Sequence, residues 1–570
     1  MFSITPRLRS LQLALFAFIG ILIIRLVFLQ IIEHDFYVAK SQSQVNKVFM
    51  IYPNRGEIYD RNGTPLAFSS PVYSAYAIPT QVEDKVGFAR TVSAITGQQY
   101  ETVFRLVNNN GAFIWIKRKL DDRTHQQLAT LNIQGLNFVQ EDLRVYPQNQ
   151  LLSHVLGFVG IDNQGLGGLE YKFDRILQGN PGRIMLEGDP RGYRLVSGKK
   201  ETRDPFQGAN ITTTIDIYLQ YICQKYLREG VIENGGEGGQ VIIMNPKTGD
   251  ILAMADYPEF DSNTWRDSTD TFRKNSTITD VYEPGSVFKL VTLAGILNEG
   301  LVTTRTVMTV PQTLTIGGRT IREAHGRSAG ETDSRTVSEI IEKSLNVGTS
   351  LLAMKLGQKK FYHYITEFGF GKRTEVELPA ESRGILNSIK HWTEPDIAMI
   401  SFGQGVAVTP IQMVSAVSII ANHGEKIKPR IVWQITEKKD LSVHAIPITS
   451  EGQVISEKTA REVVNVMKET VHSGTGVGAK IPGYSIGGKT GTAQKVRQGG
   501  FGYEPGKYVA SFIGFFPADD PQVVILVIVD SPSKSIYGAT VAIPIFKKIA
   551  LATIDHLDIY PDQPTQNLVR

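Results

Sequence analysis

The chain has 570 residues, which is enough for roughly two to four domains. Its 60 Lys and Arg against 56 Asp and Glu leave a net charge of +4, too small for a nucleic-acid-binding protein with a dense basic surface. The single cysteine excludes an intramolecular disulfide, and the ten histidines show no zinc-binding spacing. Because the sequence also has no Walker loop and no strand-to-helix GxGxxG, we expect no cofactor, no bound metal and no nucleic-acid partner.

The N-terminal segment predicts a membrane anchor. Residues 11–32, LQLALFAFIGILIIRLVFLQII, carry one charge and would form about 33 Å of helix, which spans the core of a bilayer. Arg7 and Arg9 precede this run and the acidic EHD follows it, so the positive-inside rule predicts that residues 1–10 form a cytoplasmic tail. We therefore expect a single-pass protein of the cytoplasmic (inner) membrane whose other domains lie on the outer side.

Arg25 is the one charged residue within the apolar run. It would lie about 10 Å from the outer end of the helix. Two explanations remain open: the side chain extends along the helix to reach the lipid headgroups, or it contacts a polytopic membrane partner.

Residues 33–208 and 209–570 differ in pattern, which predicts two further domains. The first alternates short β-prone pieces, turns such as PNRGEIYDRNGTPLA and short helical segments, as in a mixed α/β domain. Near residue 209 an alternating strand leads into an amphipathic helix, which predicts a domain start. GQVIIMNPKTGDILAMAD predicts a hairpin, a largely helical stretch follows to about residue 425, and two apolar strands and a helix end the chain. This order predicts an α+β domain, an antiparallel sheet flanked by helices.

The stretch VYEPGSVFKLVTLAGIL, residues 281–297, contains a candidate catalytic pair, Ser286 and Lys289. Helix residues three apart share a face, so the Lys289 amine could approach the Ser286 hydroxyl at the helix N-terminus. The neighbours of Lys289 are apolar nearly all round, and burial lowers a lysine pKa until the neutral amine can act as a base near pH 7. The alternative reading of these two residues is an N-cap serine and a lysine that extends out of the core to solvent.

A second candidate segment is IIEKSLNVGTS, which contains Ser344 and Asn346. A spacing of two residues brings side chains together on loop backbone and separates them on a helix. We therefore predict that this segment forms a turn between helices.

A third candidate segment is YSIGGKTGTAQK, which contains Lys489, Thr490, Gly491 and Thr492. A strand here would place the two threonines on one face, and Gly491, without a side chain, would let a substrate backbone lie against it. Simple alternation turns Lys489 away from the threonines. The sequence leaves open whether local twist brings this lysine back into the site.

In this order, Ser-x-x-Lys, Ser-x-Asn and Lys-Thr-Gly resemble the serine acyl-transferase signature of penicillin-binding proteins and class A β-lactamases. The whole chain resembles a class B penicillin-binding protein, a monofunctional peptidoglycan D,D-transpeptidase. The anchor fits, RGEIYDRNG (55–63) and GLGGLEYKFD (165–174) are similar to the family's pedestal motifs, and ISFGQGVAVTPIQM (400–413) is similar to its transpeptidase-domain signature. The resemblance implies an α+β penicillin-binding transpeptidase domain over 209–570 and an elongated, dimerisation-type α/β pedestal over 33–208.

The resemblance also implies roles for the candidate residues. Ser286 would attack the carbonyl of the penultimate D-alanine of a stem pentapeptide, and Lys289 would be the base for that step. Ser344, with Lys489 nearby, would relay a proton toward the leaving amine. Asn346 would hold the substrate amide.

Substrate binding is implied in the same way. Thr490 and Thr492, with Lys489, would bind the terminal carboxylate beside Gly491. The backbone N–H groups of Ser286 and Thr492 would form the oxyanion hole. β-Lactam antibiotics would acylate the same serine, because they imitate D-Ala-D-Ala.

Glu283, in YEPGS, is more similar to the septal, cell-division branch of the family than to the elongation branch. The resemblance therefore implies septal wall synthesis, with a polytopic membrane glycosyltransferase and other division proteins as partners. Three alternatives remain: an elongation-type transpeptidase, a D,D-carboxypeptidase or β-lactamase that admits a deacylating water, and a non-enzymatic division scaffold. The membrane anchor argues against the hydrolases, and the intact catalytic segments argue against the scaffold.

Overall fold

A computed structural model of the chain describes residues 4–51, 53–109, 111, 113–187, 200–323, 333–497 and 502–563. The α-helices are α1 (Ile4–Val27), α2 (His34–Val45), α3 (Lys85–Thr96), α4 (Tyr100–Val107), α5 (Asp122–Thr130), α6 (Ser153–Leu156), α7 (Gly168–Lys172), α8 (Asp174–Gln178), α9 (Ile217–Asn234), α10 (Asp270–Arg273), α11 (Ser276–Thr279), α12 (Lys289–Asn298), α13 (Val337–Glu342), α14 (Asn346–Leu356), α15 (Gln358–Glu367), α16 (Glu394–Ser401), α17 (Pro410–Ala421), α18 (Glu457–His472) and α19 (Gly538–His556). The strands are β1 (Asn46–Ile51), β2 (Ile58–Tyr59), β3 (Pro65–Ala77), β4 (Ile114–Leu120), β5 (Leu136–Val145), β6 (Gly182–Glu187), β7 (Lys200–Arg203), β8 (Asn210–Thr213), β9 (Gly238–Met244), β10 (Ile251–Tyr257), β11 (Val307–Thr309), β12 (Thr313–Ile316), β13 (Arg319–Arg322), β14 (Ser334–Thr336), β15 (Glu425–Ile427), β16 (Val432–Thr436), β17 (Val443–Ala445), β18 (Ser450–Gln453), β19 (Gly487–Val496), β20 (Tyr503–Phe516) and β21 (Val523–Asp530).

The chain forms two compact units, residues 1–54 with 179–208 and residues 55–178 with 209–570. In the first unit, α1 continues into a π-helix, α2 follows, and β1, β6 and β7 form an antiparallel sheet. Within the described residues, Leu8–Ile32 is the one helix long and apolar enough to cross a membrane. The length and composition of this helix fit the predicted anchor.

The second unit is built on a five-stranded antiparallel sheet in the order β10-β9-β21-β20-β19. Its central strand β21 is buried on both faces: Val524, Leu526 and Ile528 face the core that includes α12, α14 and α17, whereas the residues between them face the core formed with α9 and α19. The predicted hairpin, β9–β10, and the predicted final strands and helix, β20, β21 and α19, are all present. The α+β fold is therefore confirmed.

A second sheet, in the order β17-β16-β8-β2-β3-β4, also belongs to this unit, and β5 pairs with β3. Here β2 and β8 pair in parallel, with Ile58 opposite Ile211. Helices α3, α4 and α5 cover the β3–β4–β5 part around a small apolar core of their own. Strands from residues 55–178 and from residues 209–570 thus share one sheet.

A buried ion network joins the two segments that resemble pedestal motifs. Arg55 Nε donates to Glu170 Oε2 at 2.6 Å, its Nη1 donates to Asp174 at 2.7 Å, and Arg144 Nε donates to Glu170 Oε1 at 2.6 Å. Burial opposes ionisation of Glu170, but the two guanidinium groups outweigh it and lower the pKa of this carboxyl. Breaking such a buried pair typically costs about 3–5 kcal/mol, so the network fixes how these segments pack.

Candidate active site

The serine of the Ser-x-x-Lys segment lies in a short 3₁₀ helix, Gly285–Phe288, and α12 begins directly after it at Lys289. Gly285 has φ +54°, and a Cβ there would lie 2.9 Å from the carbonyl oxygen of Thr492. The chain therefore turns sharply against β19 before it becomes α-helical. Residues three apart eclipse in a 3₁₀ helix, so Lys289 and the half-buried Ser286 lie on the same side.

Lys289 is fully buried, so its side chain does not extend to solvent as the alternative reading required. Its Nζ donates to the Ser344 carbonyl oxygen at 2.6 Å and to Asn346 Oδ1 at 2.8 Å, and Ser344 Oγ lies at 3.3 Å. Burial, and then the charge of Lys489, lower the pKa of Lys289 well below its ordinary value, while the charge of Glu323 raises it. The neutral amine that a general base requires is therefore favoured.

Ser344 lies in the turn between α13 and α14, as the sequence predicted. Its φ of +59° is uncommon for a residue other than glycine, and Asn346 is the first residue of α14. This turn directs the Ser344 hydroxyl and the Asn346 amide toward the same buried lysine. The hydroxyl is also within hydrogen-bond distance of a second lysine, on β19, so it lies between two amines.

Lys489 is that second lysine. It is fully buried and does not line the cavity, whereas Thr490 and Thr492 do, so the predicted alternation along β19 is confirmed. The long side chain nevertheless reaches the site, where Nζ donates to Ser344 Oγ at 3.0 Å. Burial lowers the pKa of Lys489 from 10.5 to about 7, so both protonation states are populated near neutral pH.

Threonine hydroxyls lie on the cavity side of β19. Thr490 Oγ1 donates to Thr475 Oγ1 at 2.9 Å, and the backbone N–H of Gly538 donates to Thr492 Oγ1 at 3.4 Å. Gly538 is the first residue of α19, so the partial positive charge of this helix N-terminus lies next to Thr492. Because Thr492 accepts that N–H, its own proton remains available to a ligand carboxylate.

Gly491 lacks a side chain for a reason other than the one the sequence suggested. A Cβ there would lie 2.3 Å from Ser511 Oγ, 3.0 Å from Val287 Cγ2 and 3.2 Å from the Pro284 carbonyl oxygen. Gly491 does not line the cavity. The space beside it is occupied by the segment that carries Ser286, so the glycine allows this segment and β19 to touch.

Glu283 is buried just before the segment that carries Ser286. Its Oε1 accepts the backbone N–H of Gly405 at 2.8 Å, and its Oε2 accepts the Tyr503 hydroxyl at 3.0 Å. Burial raises the pKa of Glu283, and these two donors act in the opposite direction. The carboxyl group therefore holds the 400–413 signature loop and β20 against the segment that precedes Ser286.

These groups surround one cavity of about 790 Å³, a volume suited to a small ligand. The predicted site residues that line it are Ser286, Ser344, Asn346, Thr490 and Thr492. Ser286 and Thr492, whose N–H groups the resemblance assigns to an oxyanion hole, thus border the same space. Among the residues that the structure describes, no group of three or more His, Cys, Asp or Glu side chains could hold a metal ion.

Comparison with protein families decides the affiliation of the chain. Residues 239–551 match the penicillin-binding protein transpeptidase domain, and residues 50–213 match the penicillin-binding protein dimerisation domain. The chain is a class B penicillin-binding protein. This penicillin-binding protein is 34% identical to stage V sporulation protein D of Bacillus subtilis, over 98% of this chain and 87% of that protein. It is 30% identical to peptidoglycan D,D-transpeptidase FtsI of Escherichia coli, over 95% and 90% of the two chains.

Solved structures show the same fold. Penicillin-binding protein 3 of Mycobacterium tuberculosis, in complex with aztreonam, matches with a TM-score of 0.71 and 27% identity, over 91% of this chain and 99% of that one. A peptidoglycan synthetase from Bifidobacterium adolescentis matches with a TM-score of 0.74 and 25% identity, over 92% and 99%. The similarity to these solved structures therefore covers both of the domains matched by sequence.

Thr475 and Glu323 are among the cavity residues of this penicillin-binding protein that its sequence did not indicate. Thr475 lies in a glycine-flanked turn after α18, and such turns favour a close approach of backbone to a neighbouring strand, which is a weak signal for it. Glu323 follows the short strand β13, and no pattern in the sequence around it indicates a place in the site. Its contacts with the Ser-x-Asn turn arise only in the folded chain.

Proposed function

We propose that this penicillin-binding protein cross-links peptidoglycan stem peptides through an acyl-enzyme on Ser286. The observation that carries the proposal is the convergence of two buried lysines, Lys289 and Lys489, on the Ser344 hydroxyl beside the cavity that Ser286 lines. Titratable groups with strongly perturbed pKa values in a cleft are typical of catalytic sites. Here the perturbation has a geometric basis, since both amines are enclosed by the same turn.

Acylation begins when Ser286 Oγ attacks the carbonyl carbon of the penultimate D-alanine. Neutral Lys289 accepts the hydroxyl proton, and its lowered pKa supports this role. A positioned proton transfer contributes about 10²- to 10⁴-fold to a rate. The developing oxyanion accepts hydrogen bonds from the backbone N–H groups of Ser286 and Thr492, and one such donor typically contributes about 3 kcal/mol.

Release of the terminal D-alanine breaks its C–N bond to the acyl group. Ser344 donates a proton to the leaving amine and regains one from Lys489, whose Nζ is already directed at the Ser344 oxygen. Thr490 and Thr492, with protonated Lys489, hold the terminal carboxylate, and Asn346 holds the substrate amide. The amine of a neighbouring stem then attacks the ester and forms the cross-link. Its proton passes through Ser344 to Lys489, and Lys289 returns its proton to the departing Ser286 oxygen, which restores the serine.

We further propose a cytoplasmic N-terminus, an anchor over 11–32, a pedestal over 33–208 and an extracytoplasmic transpeptidase domain over 209–570. Arg7 and Arg9 before the anchor support this orientation. The sequence of Glu283 to Ser286 supports a septal role. Cross-linking also requires glycan strands, so we propose that a polytopic membrane glycosyltransferase works with this chain.

A membrane-impermeant fluorescent penicillin tests the nucleophile and the orientation together. The vesicles are sealed and have the extracytoplasmic face of the cytoplasmic membrane outward. In them we expect covalent labelling of the wild-type chain and no labelling of the Ser286→Ala variant. Labelling that persists in Ser286→Ala would refute the nucleophile. If labelling occurs only after the vesicles are opened, the transpeptidase domain lies on the cytoplasmic side and the proposed orientation is wrong. Release of free stem tetrapeptide without cross-links would favour a hydrolase.

A further inference from the structure

The helix that begins with Asn346 is capped by a residue from another part of the chain. Leu345 occupies the N-cap position of α14, and its side chain offers no hydrogen-bond acceptor. The first two backbone N–H groups of the helix donate instead to one carboxylate: Asn346 N to Glu323 Oε2 at 2.5 Å and Val347 N to Glu323 Oε1 at 3.1 Å. A carboxylate at this position also interacts favourably with the helix dipole.

The same short segment fixes the side chain of Asn346. Its Nδ2 donates to the Arg322 carbonyl oxygen at 3.1 Å, while its Oδ1 accepts a hydrogen bond from Lys289 Nζ at 2.8 Å. Only the NH₂ group of an amide can donate to a carbonyl oxygen, so the bond to Arg322 permits one orientation of the Asn346 side chain, with its oxygen toward Lys289. Residues 322 and 323 thus hold the backbone and the side chain of Asn346 together.

We propose that Glu323 is a positioning residue for acylation, which keeps the start of α14 and the Asn346 amide in place against Lys289. The proposal rests on the proposed function of Ser286 and Lys289. Glu323 lines the cavity but its two carboxylate oxygens are already engaged by the helix, so it acts through Asn346. It belongs to none of the three catalytic segments.

Glu323 also has an electrostatic effect on Lys289. Burial and the charge of Lys489 lower the pKa of Lys289, and the charge of Glu323 is the one that raises it. When neutral Lys289 is the base, the rate of Ser286 acylation rises as the pH rises through the pKa of Lys289. Removing the charge of Glu323 lowers the pKa further, so the ascending part of the pH–rate profile moves to lower pH.

The test compares Glu323→Gln with Glu323→Asp in the full-length protein. The readout is the second-order rate constant for acylation by a fluorescent penicillin across the pH range. We expect Glu323→Gln to lose about tenfold to a hundredfold in the plateau rate, because glutamine leaves one helix N–H without an acceptor, and to shift its ascending limb to lower pH. Glu323→Asp keeps the charge but has a shorter reach, so we expect a slower rate with the limb in its original place.

Asp121→Ala is the capping control, since Asp121 caps α5 by accepting the Thr124 N–H at 2.8 Å and does not line the cavity. It should lower the melting temperature and leave acylation unchanged. The proposal is overturned if Glu323→Gln acylates at the wild-type rate, or if it loses melting temperature like the control with an unmoved pH profile. If Glu323→Gln does not fold, the test rests on Glu323→Asp. A slower acylation rate with an unmoved ascending limb then supports the proposal, and a wild-type rate overturns it. If the wild-type chain itself is not labelled at Ser286, the proposed function fails first and this proposal fails with it.

Discussion

Lys289 and Lys489 are among the largest fully buried side chains of the molecule. Enclosing an ammonium group is unfavourable, and burial is the main reason that both pKa values are lowered. Both amines lie within hydrogen-bond distance of the Ser344 hydroxyl, but Lys289 also donates to the Ser344 carbonyl oxygen and to the Asn346 side chain. This difference supports separate roles, with Lys289 as the base and Lys489 as the proton source and carboxylate partner.

The pH dependence of acylation should report the charge of Lys489. Penicillins and stem peptides carry a carboxylate, which binds the protonated amine better than the neutral one. The second-order rate constant reflects pKa values of the free enzyme, so we expect it to fall as the pH rises through about 7. Stopped-flow labelling with a fluorescent penicillin measures this constant. Lys489→Ala should be slow at every pH and lack the descending limb, and a wild-type rate that stays level into alkaline pH would contradict the assignment.

The strand β19 connects the parts of the site, because its two faces contact different parts of it. One face presents Thr490 and Thr492 to the cavity, and the other packs Gly491 against the segment that carries Ser286. Lys489 shares the face of Gly491 and reaches Ser344 from inside the domain. A change at Gly491 should therefore affect the nucleophile without touching the ligand.

We expect Gly491→Ala to slow acylation of Ser286 and to destabilise the fold by about 1–3 kcal/mol, because an added methyl group overpacks this contact. The closest atom would be Ser511 Oγ at 2.3 Å. Acylation rate and chemical denaturation measure the two effects. Gly111→Ala is the control, since its nearest neighbour would lie at 3.8 Å. If Gly491→Ala acylates like the control, the contact between β19 and the serine segment does not position the nucleophile.

Local patterns predicted the elements of the site, but not how those elements meet. The spacing of Ser344 and Asn346 predicted their turn, and alternation predicted the threonine face of β19, because both depend on neighbouring residues. The 3₁₀ helix at Ser286 depends instead on Gly285 lying against the Thr492 carbonyl, a contact between distant segments. Such contacts leave no period in the sequence.

The sheet that contains β8 also joins distant parts of the chain. The predicted boundary at residues 208 and 209 falls immediately before β8, and in the structure β8 lies between β2 and β16. Glu57 N donates to Asn210 Oδ1 at 2.9 Å, so the backbone before β2 and the first residue of β8 are bonded directly. A strand pairing between residues so far apart is set by tertiary packing, so the strand-to-helix pattern near residue 209 predicted a domain start but carried no signal of the shared sheet.

Substitution of Arg25 tests whether the anchor contributes to binding of a membrane partner. Its guanidinium lies 5.6 Å from the centre of the Phe28 ring and would be about 10 Å from the outer end of the helix. A side chain of this length can extend to the headgroups, which removes the charge from the hydrocarbon without any protein partner. We therefore expect Arg25→Leu to leave the proposed enrichment at the division site and co-purification with the proposed polytopic glycosyltransferase unchanged. Replacement of residues 11–32 by an unrelated membrane helix is the control for any contribution of the anchor. Loss of co-purification in Arg25→Leu but not in Arg25→Lys would instead assign Arg25 to a contact with that partner.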